Sequence, residues 1–290
     1  MRLAGGWKDY EILDASSGER LERWGESILV RPDPQVVWHT EKADRRWELA
    51  DAVYHRSASG GGEWEIRNRL PKEWTVNWDD VVKLHVSLKG FKHTGVFPEQ
   101  SANWKLYIEM IEKAARPVKV LNLFGYTGGA TAACLYAGAS VCHVDASRGM
   151  LEQAKLNAAL SNVRDRPVRY LADDCAKFVQ REIRRGTRYD GIIMDPPSYG
   201  RGPSGELWKL EDDIYSLVLA GREVLSENPL FFVINSYTAG LSPSVMEYIL
   251  ASVLRGYEGE VKSGELGLKV KGSGLILPAG GTAVFSSLQH

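Results

Sequence analysis

From residue 117 onward, short apolar runs alternate with stretches of helical spacing. The run VLNLF at 120–124 passes through GYTGG into a small-residue helix, ATAACLYAG. SVCHVD then reads as a second strand, and Ser147 as the cap of a helix reaching about Leu160. A third strand, VRYLADD, leads into the helix CAKFVQREIRRG, which stops at Gly186, a residue suited to the left-handed turn that ends helices. Fourth and fifth strands follow in YDGIIMDPPSYG and LFFVINSYTAG, and Ser242-Pro243 starts another helix as a cap followed by proline at the first helical position. The last two β-like runs, in VKSGELGLKV and GGTAVFSSL, have no helix between them and therefore close as an antiparallel pair. This alternation predicts an α/β fold: a doubly wound, mostly parallel sheet of seven strands with an antiparallel last strand.

The first hundred residues follow a different rhythm. DYEILDASSGERL, SILVRPDPQVVW, GGGEWEIRNRL and VKLHVSLKG alternate β-formers with turn signals and predict short antiparallel strands. Pro32 and Pro34 punctuate one strand, and Gly60, Gly61 and Gly62 form a loop or hairpin tip. Seven of the nine tryptophans (Trp7, Trp24, Trp38, Trp47, Trp64, Trp74, Trp78) fall before residue 79, and burial in cores and between domains accounts for them. The sharper alternative is that one or two stack on a nucleic-acid base. The change of rhythm divides the chain into a small β-rich domain (1–88), a connecting strip and helix (89–116) and the main domain (117–290). The strip KGFKHTGVFPEQSANW is irregular, yet it carries Phe91, His93, Phe97, Glu99 and Gln100, and it is expected to lie over a ligand. Its helix sets Trp104, Tyr107, Ile108, Ile111 and Ala115 at helical spacing and ends at Arg116-Pro117.

Composition narrows the class without naming a substrate. With 290 residues, 44% apolar and 25% charged, the chain has the makeup of a soluble globular protein, and no apolar run approaches the ~18 residues of a membrane span. Its beginning, MRLAGGWKDYE, lacks the apolar core of a secretory signal, which points to the cytoplasm. Cys134, Cys142 and Cys175 have no metal-ligand spacing, so no metal is expected, and an odd number of thiols suits a reducing compartment. The net charge of −1 supplies no general field for nucleic acid. Nor does either part of the chain, with 15 basic against 17 acidic residues in 1–100 and 21 against 20 after it. A local basic patch would still suffice for RNA.

The chemistry sits at the predicted strand ends. Gly125, Tyr126, Thr127, Gly128 and Gly129 form a loop that lets a ligand approach the backbone, and the following helix aims unbonded N–H groups at it. Asp145, twenty residues after Gly125 at the end of the second strand, is placed to accept from ribose hydroxyls. The loop departs from the dinucleotide pattern G-x-G-x-x-G and lacks the Gly-Lys-Ser/Thr of a phosphate loop. A ligand with a ribose and no phosphates remains, and S-adenosylmethionine fits. Asp174, Asp195-Pro196-Pro197 and Asn235-Ser236 end the next three strands, where an open sheet of this kind binds its ligand.

Together, FGYTGG, HVDAS, LADD and MDPPSYG resemble class I S-adenosylmethionine-dependent methyltransferases, most of all the branch with the bacterial large-subunit ribosomal RNA enzymes and their uncharacterised relatives. The resemblance covers roughly residues 89–290 and implies a Rossmann-like fold. It implies that Phe124, Gly125, Tyr126, Thr127 and Gly128 wrap the methionine and ribose of S-adenosyl-L-methionine, leaving S-adenosyl-L-homocysteine as product. It further implies that Asp145, with Ala146 and Ser147, holds the ribose hydroxyls. Asp174, with Cys175 and Ala176, takes the adenine, and Phe97, Glu99 and Gln100 close over the cofactor. Asp195, Pro196, Pro197, Ser198 and Tyr199 would face the acceptor, with Asn235, Ser236 and Tyr237 completing the wall.

Two departures from the family pattern matter. Cytosine-C5 enzymes place a thiolate after the fifth strand, where this chain has Ser236 and Tyr237, so a covalent cysteine route is not expected. Amino-group enzymes follow Asp-Pro-Pro at once with an aromatic residue, where this chain has Ser198 and only then Tyr199. The loop YGRGPSGELW, with Gly200, Gly202 and Gly205, reads as a mobile lid carrying Arg201. RNA is the leading acceptor. Methylation of a protein or small molecule, or a cofactor-binding module without catalysis, are the alternatives, and the oligomeric state is left open.

Overall fold

Residues 1–57, 61–88, 92–202, 205–238 and 240–287 are described by a computed structural model, in which two units each enclose a core. One unit is Arg2–Ala102 with Gly267–Ala279, and the other is Asn103–Leu266 with Gly280–His290 and Met1. Phe91, Lys89, Gly90 and Gly60, to which the sequence assigns places in the strip and the glycine turn, lie outside the described residues.

The N-terminal unit contains β1 (Arg2–Leu3), β2 (Tyr10–Ser16), β3 (Glu19–Trp24), β4 (Ser27–Pro32), β5 (Ala52–Arg56), β6 (Gly62–Ile66), β7 (Trp74–Trp78) and β8 (Val82–Val86). β2 to β6 form one sheet in chain order, and β7 and β8 pair as a separate hairpin. Tight turns set the hairpins. Ser17 and Gly18 have φ of 53° and 79°, the positive values that match a two-residue turn to the twist of its strands, and Asp79 and Asp80, in the three-residue connection between Trp78 and Val82, have φ of 51° and 55°. The expectation of antiparallel strands throughout is corrected at one place: β4 and β5 run parallel, with Leu29 beside Ala52 and Val30 beside Val53. A parallel pair needs a long crossover, and the chain between Pro32 and Ala52, which includes a short 3₁₀ turn at Arg45–Trp47, provides it. Leu13, Leu21, Val30, Trp47, Ala50 and Val53 form the core. Trp24, Trp47 and Trp78 are buried, and even Trp38, 37% exposed, donates its indole N–H to the Ala15 carbonyl at 2.8 Å.

The second unit begins within α1 (Ser101–Lys113), which buries Trp104, Tyr107, Met110 and Ile111. Ala115, expected on the same face, lies beyond the helix in the left-handed region (φ 49°) and is exposed, because the helix stops before Pro117. The sheet strands are β9 (Lys119–Leu123), β10 (Ser140–Asp145), β11 (Val168–Ala172), β12 (Gly191–Met194), β15 (Phe231–Ser236), β16 (Glu260–Lys269) and β17 (Ile276–Ser286). A small hairpin, β13 (Tyr199–Arg201) and β14 (Leu207–Lys209), follows β12. The helices are α2 (Gly129–Tyr136), α3 (Arg148–Leu160), α4 (Cys175–Arg185), α5 (Leu210–Arg222) and α6 (Pro243–Val253). α5 was not foreseen in the sequence; it buries Leu210, Ile214, Leu217 and Val218 and carries Glu211, Asp212 and Asp213 in its first turn.

The order is β16-β17-β15-β12-β9-β10-β11, parallel from β15 to β11, with β17 antiparallel to β15. After β9 the chain builds outward through β10 and β11, then returns to place β12 on β9's other side. That reversal opens a crevice at the carboxyl ends of β9 and β12. Residues alternate along the strands, so Leu121, Leu123, Ile192, Met194, Phe232 and Ile234 pack with α4, α5 and α6 in the main core.

Candidate active site at the carboxyl edge of the sheet

The loop from β9 to α2 is held in a conformation that few residues adopt. Phe124 (φ 56°), Tyr126 (φ 50°) and Gly128 (φ 83°) all lie in the left-handed region, a cost that structures retain mainly at functional sites. Gly125 N–H donates to the Val144 carbonyl at 3.1 Å, Gly128 N–H to the Gly125 carbonyl at 3.0 Å, and the Asn157 amide to the Thr127 carbonyl at 2.8 Å. Cβ atoms are barred for steric reasons as well. One on Gly125 would stand 2.4 Å from the His143 ring, and one on Gly128 would stand 2.8 Å from Ala154 Cβ. Gly128 offers α2 no side-chain cap, and the first turn holds no acidic residue, so its N–H groups remain for an anionic ligand group.

Asp145 ties this loop to the next helix. One carboxylate oxygen accepts from Tyr126 N–H at 2.9 Å and the other from Ser147 N–H at 2.8 Å. Burial pushes its carboxyl above the usual range, and the two N–H groups pull it back toward the anion. Each oxygen keeps a second lone pair for a ligand donor. Ser147 caps α3 by accepting from Met150 N–H, and Ala146 is half-buried between them.

Asp174, read from the sequence as a strand end, is the N-cap of α4. One of its oxygens accepts from Lys177 N–H at 2.8 Å, which leaves the other outside the cap. Ala176 is exposed there, whereas Cys175 is buried with its sulfur toward the Val144 carbonyl, and burial drives its thiol pKa far up. Cys134 and Cys142 are buried too, and all three are unpaired. The segment expected as a mobile lid is the β13–β14 hairpin. Glu206 from that hairpin forms an ion pair with Lys177, and a Cβ on Gly202 would come within 3.1 Å of Asp174. Its strands pair with Gly200 beside Trp208 and Tyr199 beside Lys209, and Pro203 and Ser204 lie outside the described residues.

Asp195 follows β12, with its N–H 3.4 Å from the Leu123 carbonyl. Pro196 is buried, while Pro197, Ser198 and Tyr199 are exposed, Tyr199 to 58%. An aromatic ring from further along the chain reaches this turn. Trp208 donates its indole N–H to the Pro197 carbonyl at 2.7 Å, and its ring lies 5.0 Å from that of Phe124. Trp208 thus joins the glycine loop to the Asp-Pro-Pro turn. Only the hairpin's strand pairing reveals this, although the Gly-rich loop ending in a tryptophan was a signal. Trp208→Phe keeps most of the ring contact and removes the donor. The expected result is a methyl-transfer kcat lowered about tenfold, one hydrogen bond's worth, with cofactor Kd within about twofold. An unchanged kcat would remove Trp208 from this role.

Buried polar groups back the crevice. Asn122 donates to Thr131 Oγ1 at 2.9 Å, and Thr131 Oγ1 lies 2.8 Å from His143 Nδ1. Burial holds the His143 pKa down at about 4, so the imidazole is neutral at physiological pH. Asn235, at the end of β15, is buried and accepts from Asn103 at 3.0 Å; Ser236 is buried beside it, and Tyr237 is 36% exposed.

Phe97, Glu99 and Gln100 belong to the N-terminal unit, at a 3₁₀ turn (Pro98–Gln100). Glu99 is buried with one oxygen lacking a hydrogen bond, and burial, opposed by Arg20 and Arg31 and reinforced by Glu22, raises its pKa to about 7. The folded protein therefore holds this proton to a higher pH than the unfolded chain, so stability falls as pH rises from the ordinary carboxylate range through about 7. Glu99→Gln abolishes that slope. It should exceed wild type by about 2–3 kcal/mol at high pH and match it in acid, as read by chemical denaturation; parallel curves would refute the assignment.

A family model for S-adenosylmethionine-dependent methyltransferases matches residues 43–230. The chain belongs to the family of S-adenosylmethionine-dependent methyltransferases. A solved structure of the SAM-dependent methyltransferase from Agrobacterium tumefaciens is 36% identical, with TM-score 0.93 over 99% of this chain and 93% of that one. Among curated proteins, the ribosomal RNA large subunit methyltransferase I of Tolumonas auensis is 33% identical over 130 residues, 44% of this chain and 32% of that protein. The protein of the same name from Photobacterium profundum is 30% identical over 196 residues, 67% of this chain and 46% of that protein. The chain thus spans about a third to just under half the length of these curated relatives. Among the described residues no cluster of ligating side chains suits a metal ion, and no helix is long and apolar enough to cross a membrane.

Proposed function

We propose that this methyltransferase acts on RNA, with large-subunit ribosomal RNA as acceptor. The observation that carries the reading is the exposure of Pro197, Ser198 and Tyr199 beside Asp195, an open face suited to a macromolecule rather than a closed small-molecule pocket. The names of the curated relatives point the same way. When bound, S-adenosylmethionine supplies an activated methyl on a sulfonium. In this reading Asp145 holds the ribose hydroxyls through its remaining lone pairs, and the N–H groups opening α2 take the methionine carboxylate. The outer oxygen of Asp174 accepts from the adenine amino group.

Asp195 accepts a hydrogen bond from the acceptor's N–H or takes its proton, and Ser198 and Tyr199 line the approach. The three cysteines, all buried, leave the route non-covalent. A cytoplasmic location belongs to the same proposal, resting on the acceptor class and three unpaired thiols. Transfer of labelled methyl to total RNA against total protein extract tests it. Label in RNA that disappears with Asp195→Ala is expected, and label confined to protein would overturn it.

A further inference from the structure

The N-terminal unit carries a cleft of its own of about 390 Å³, within the size range of small-ligand sites. Trp7, Tyr10, Glu11, Lys269 and Lys271 line it, together with the backbone at Gly5 and Gly6. Its walls are fixed. Ala4 N–H donates to the Gly267 carbonyl at 2.9 Å, and Lys271 N–H to the Ile12 carbonyl at 2.8 Å, which bonds the chain start and β2 to the tip of the final hairpin. The Trp7 indole N–H donates to the Pro98 carbonyl at 3.0 Å and to Ser101 Oγ at 3.2 Å, and the Tyr10 hydroxyl to Glu22 at 2.8 Å. The polar edges of both rings are thus committed; Tyr10 is buried against Trp24, with ring centroids 4.5 Å apart, and half-buried Trp7 is the ring left to face the cleft.

The charge there is one-sided. Glu11 is the one carboxylate lining the cleft, and it already binds Lys271 and Arg23, each at 2.7 Å. Lys269 is exposed and has no ion pair among the described residues. A cation excess beside the half-buried Trp7 ring, with open space above Gly5 where a Cβ would meet nothing within 4 Å, suits a ligand with a planar ring and an anionic group.

We infer that this cleft binds a nucleoside monophosphate unit, its phosphate on Lys269 and Lys271 and its base against Trp7, and that the unit is a residue of the RNA substrate. The inference rests on the RNA reading above. Anisotropy of a labelled single-stranded RNA about ten nucleotides long, over a range of salt, measures it on the full chain. Lys269→Glu with Lys271→Ala should weaken binding about tenfold and reduce the salt slope by about 0.7, the value for one single-strand phosphate contact. Cofactor affinity should stay unchanged. Competition by AMP or UMP alone that RNA does not match would keep the nucleotide site and assign it to a free nucleotide. If wild type methylates RNA while the variant binds with the same affinity and slope, the cleft is not the site and the RNA reading stands. If wild type neither methylates nor binds RNA and takes up no mononucleotide, both fall.

Discussion

Asp145→Ala is expected to lower affinity for S-adenosylmethionine by at least about a hundredfold, because two charge-assisted hydrogen bonds are worth roughly 3 kcal/mol or more. The loss has two sources. The carboxylate is the residue proposed to take the ribose hydroxyls, and its oxygens also hold Tyr126 N–H and Ser147 N–H. Without it, two backbone donors lose their partners, and the left-handed conformation of Tyr126 (φ 50°) loses its brace. The isosteric Asp145→Asn is therefore expected to fail as well. Its amide would turn an N–H₂ group toward one of the two backbone donors, so no rotamer satisfies both. Calorimetric titration with S-adenosylmethionine reads the first effect and thermal denaturation the second. An Asp145→Asn protein that binds and melts like wild type would remove the carboxylate from both roles.

The second large effect is expected at Gly125. An alanine Cβ there would lie 2.4 Å from His143 Cε1, inside any real contact, so either the loop or the imidazole must move. His143 is fully buried, and Thr131 links it to Asn122, so displacing it disturbs a polar chain that water cannot re-solvate. Gly125→Ala should cost about 2–4 kcal/mol of stability, combining overpacking with a broken buried hydrogen bond, and should abolish cofactor binding. Because the clash has one named partner, Gly125→Ala with His143→Ala should recover at least about 1 kcal/mol relative to the sum of the single changes. Additive losses in urea denaturation would show that the constraint on Gly125 lies elsewhere.

The glycine turn and the carboxylate at the end of the next strand were legible in the sequence because they depend on local features. A strand, a glycine turn and a helix succeed one another within twenty residues, and the acid at the end of the next strand falls at fixed spacing. α5 was not legible. Its apolar positions Leu210, Ile214, Leu217 and Val218 follow directly on a hairpin whose glycines dominate the local signal. Trp208 was missed for a related reason. Its partner, the Pro197 carbonyl, lies eleven residues earlier, and only the β13–β14 pairing turns the indole back onto it. Asp174, read as ending the third strand, lies two residues beyond β11, and the bond that it accepts from Lys177 N–H makes it the N-cap of α4.

The sequence by itself determined the doubly wound sheet and the polar residues that fall at or just after the carboxyl ends of its strands, since apolar periodicity and turn chemistry act over a few residues. The tertiary structure alone decided which backbone donors Asp145 braces, that His143 bars a side chain from Gly125, that Trp208 reaches the Asp-Pro-Pro turn, and that β4 and β5 run parallel. Each of those depends on groups far apart in the chain meeting at hydrogen-bond or van der Waals distance, and no local pattern encodes such a meeting.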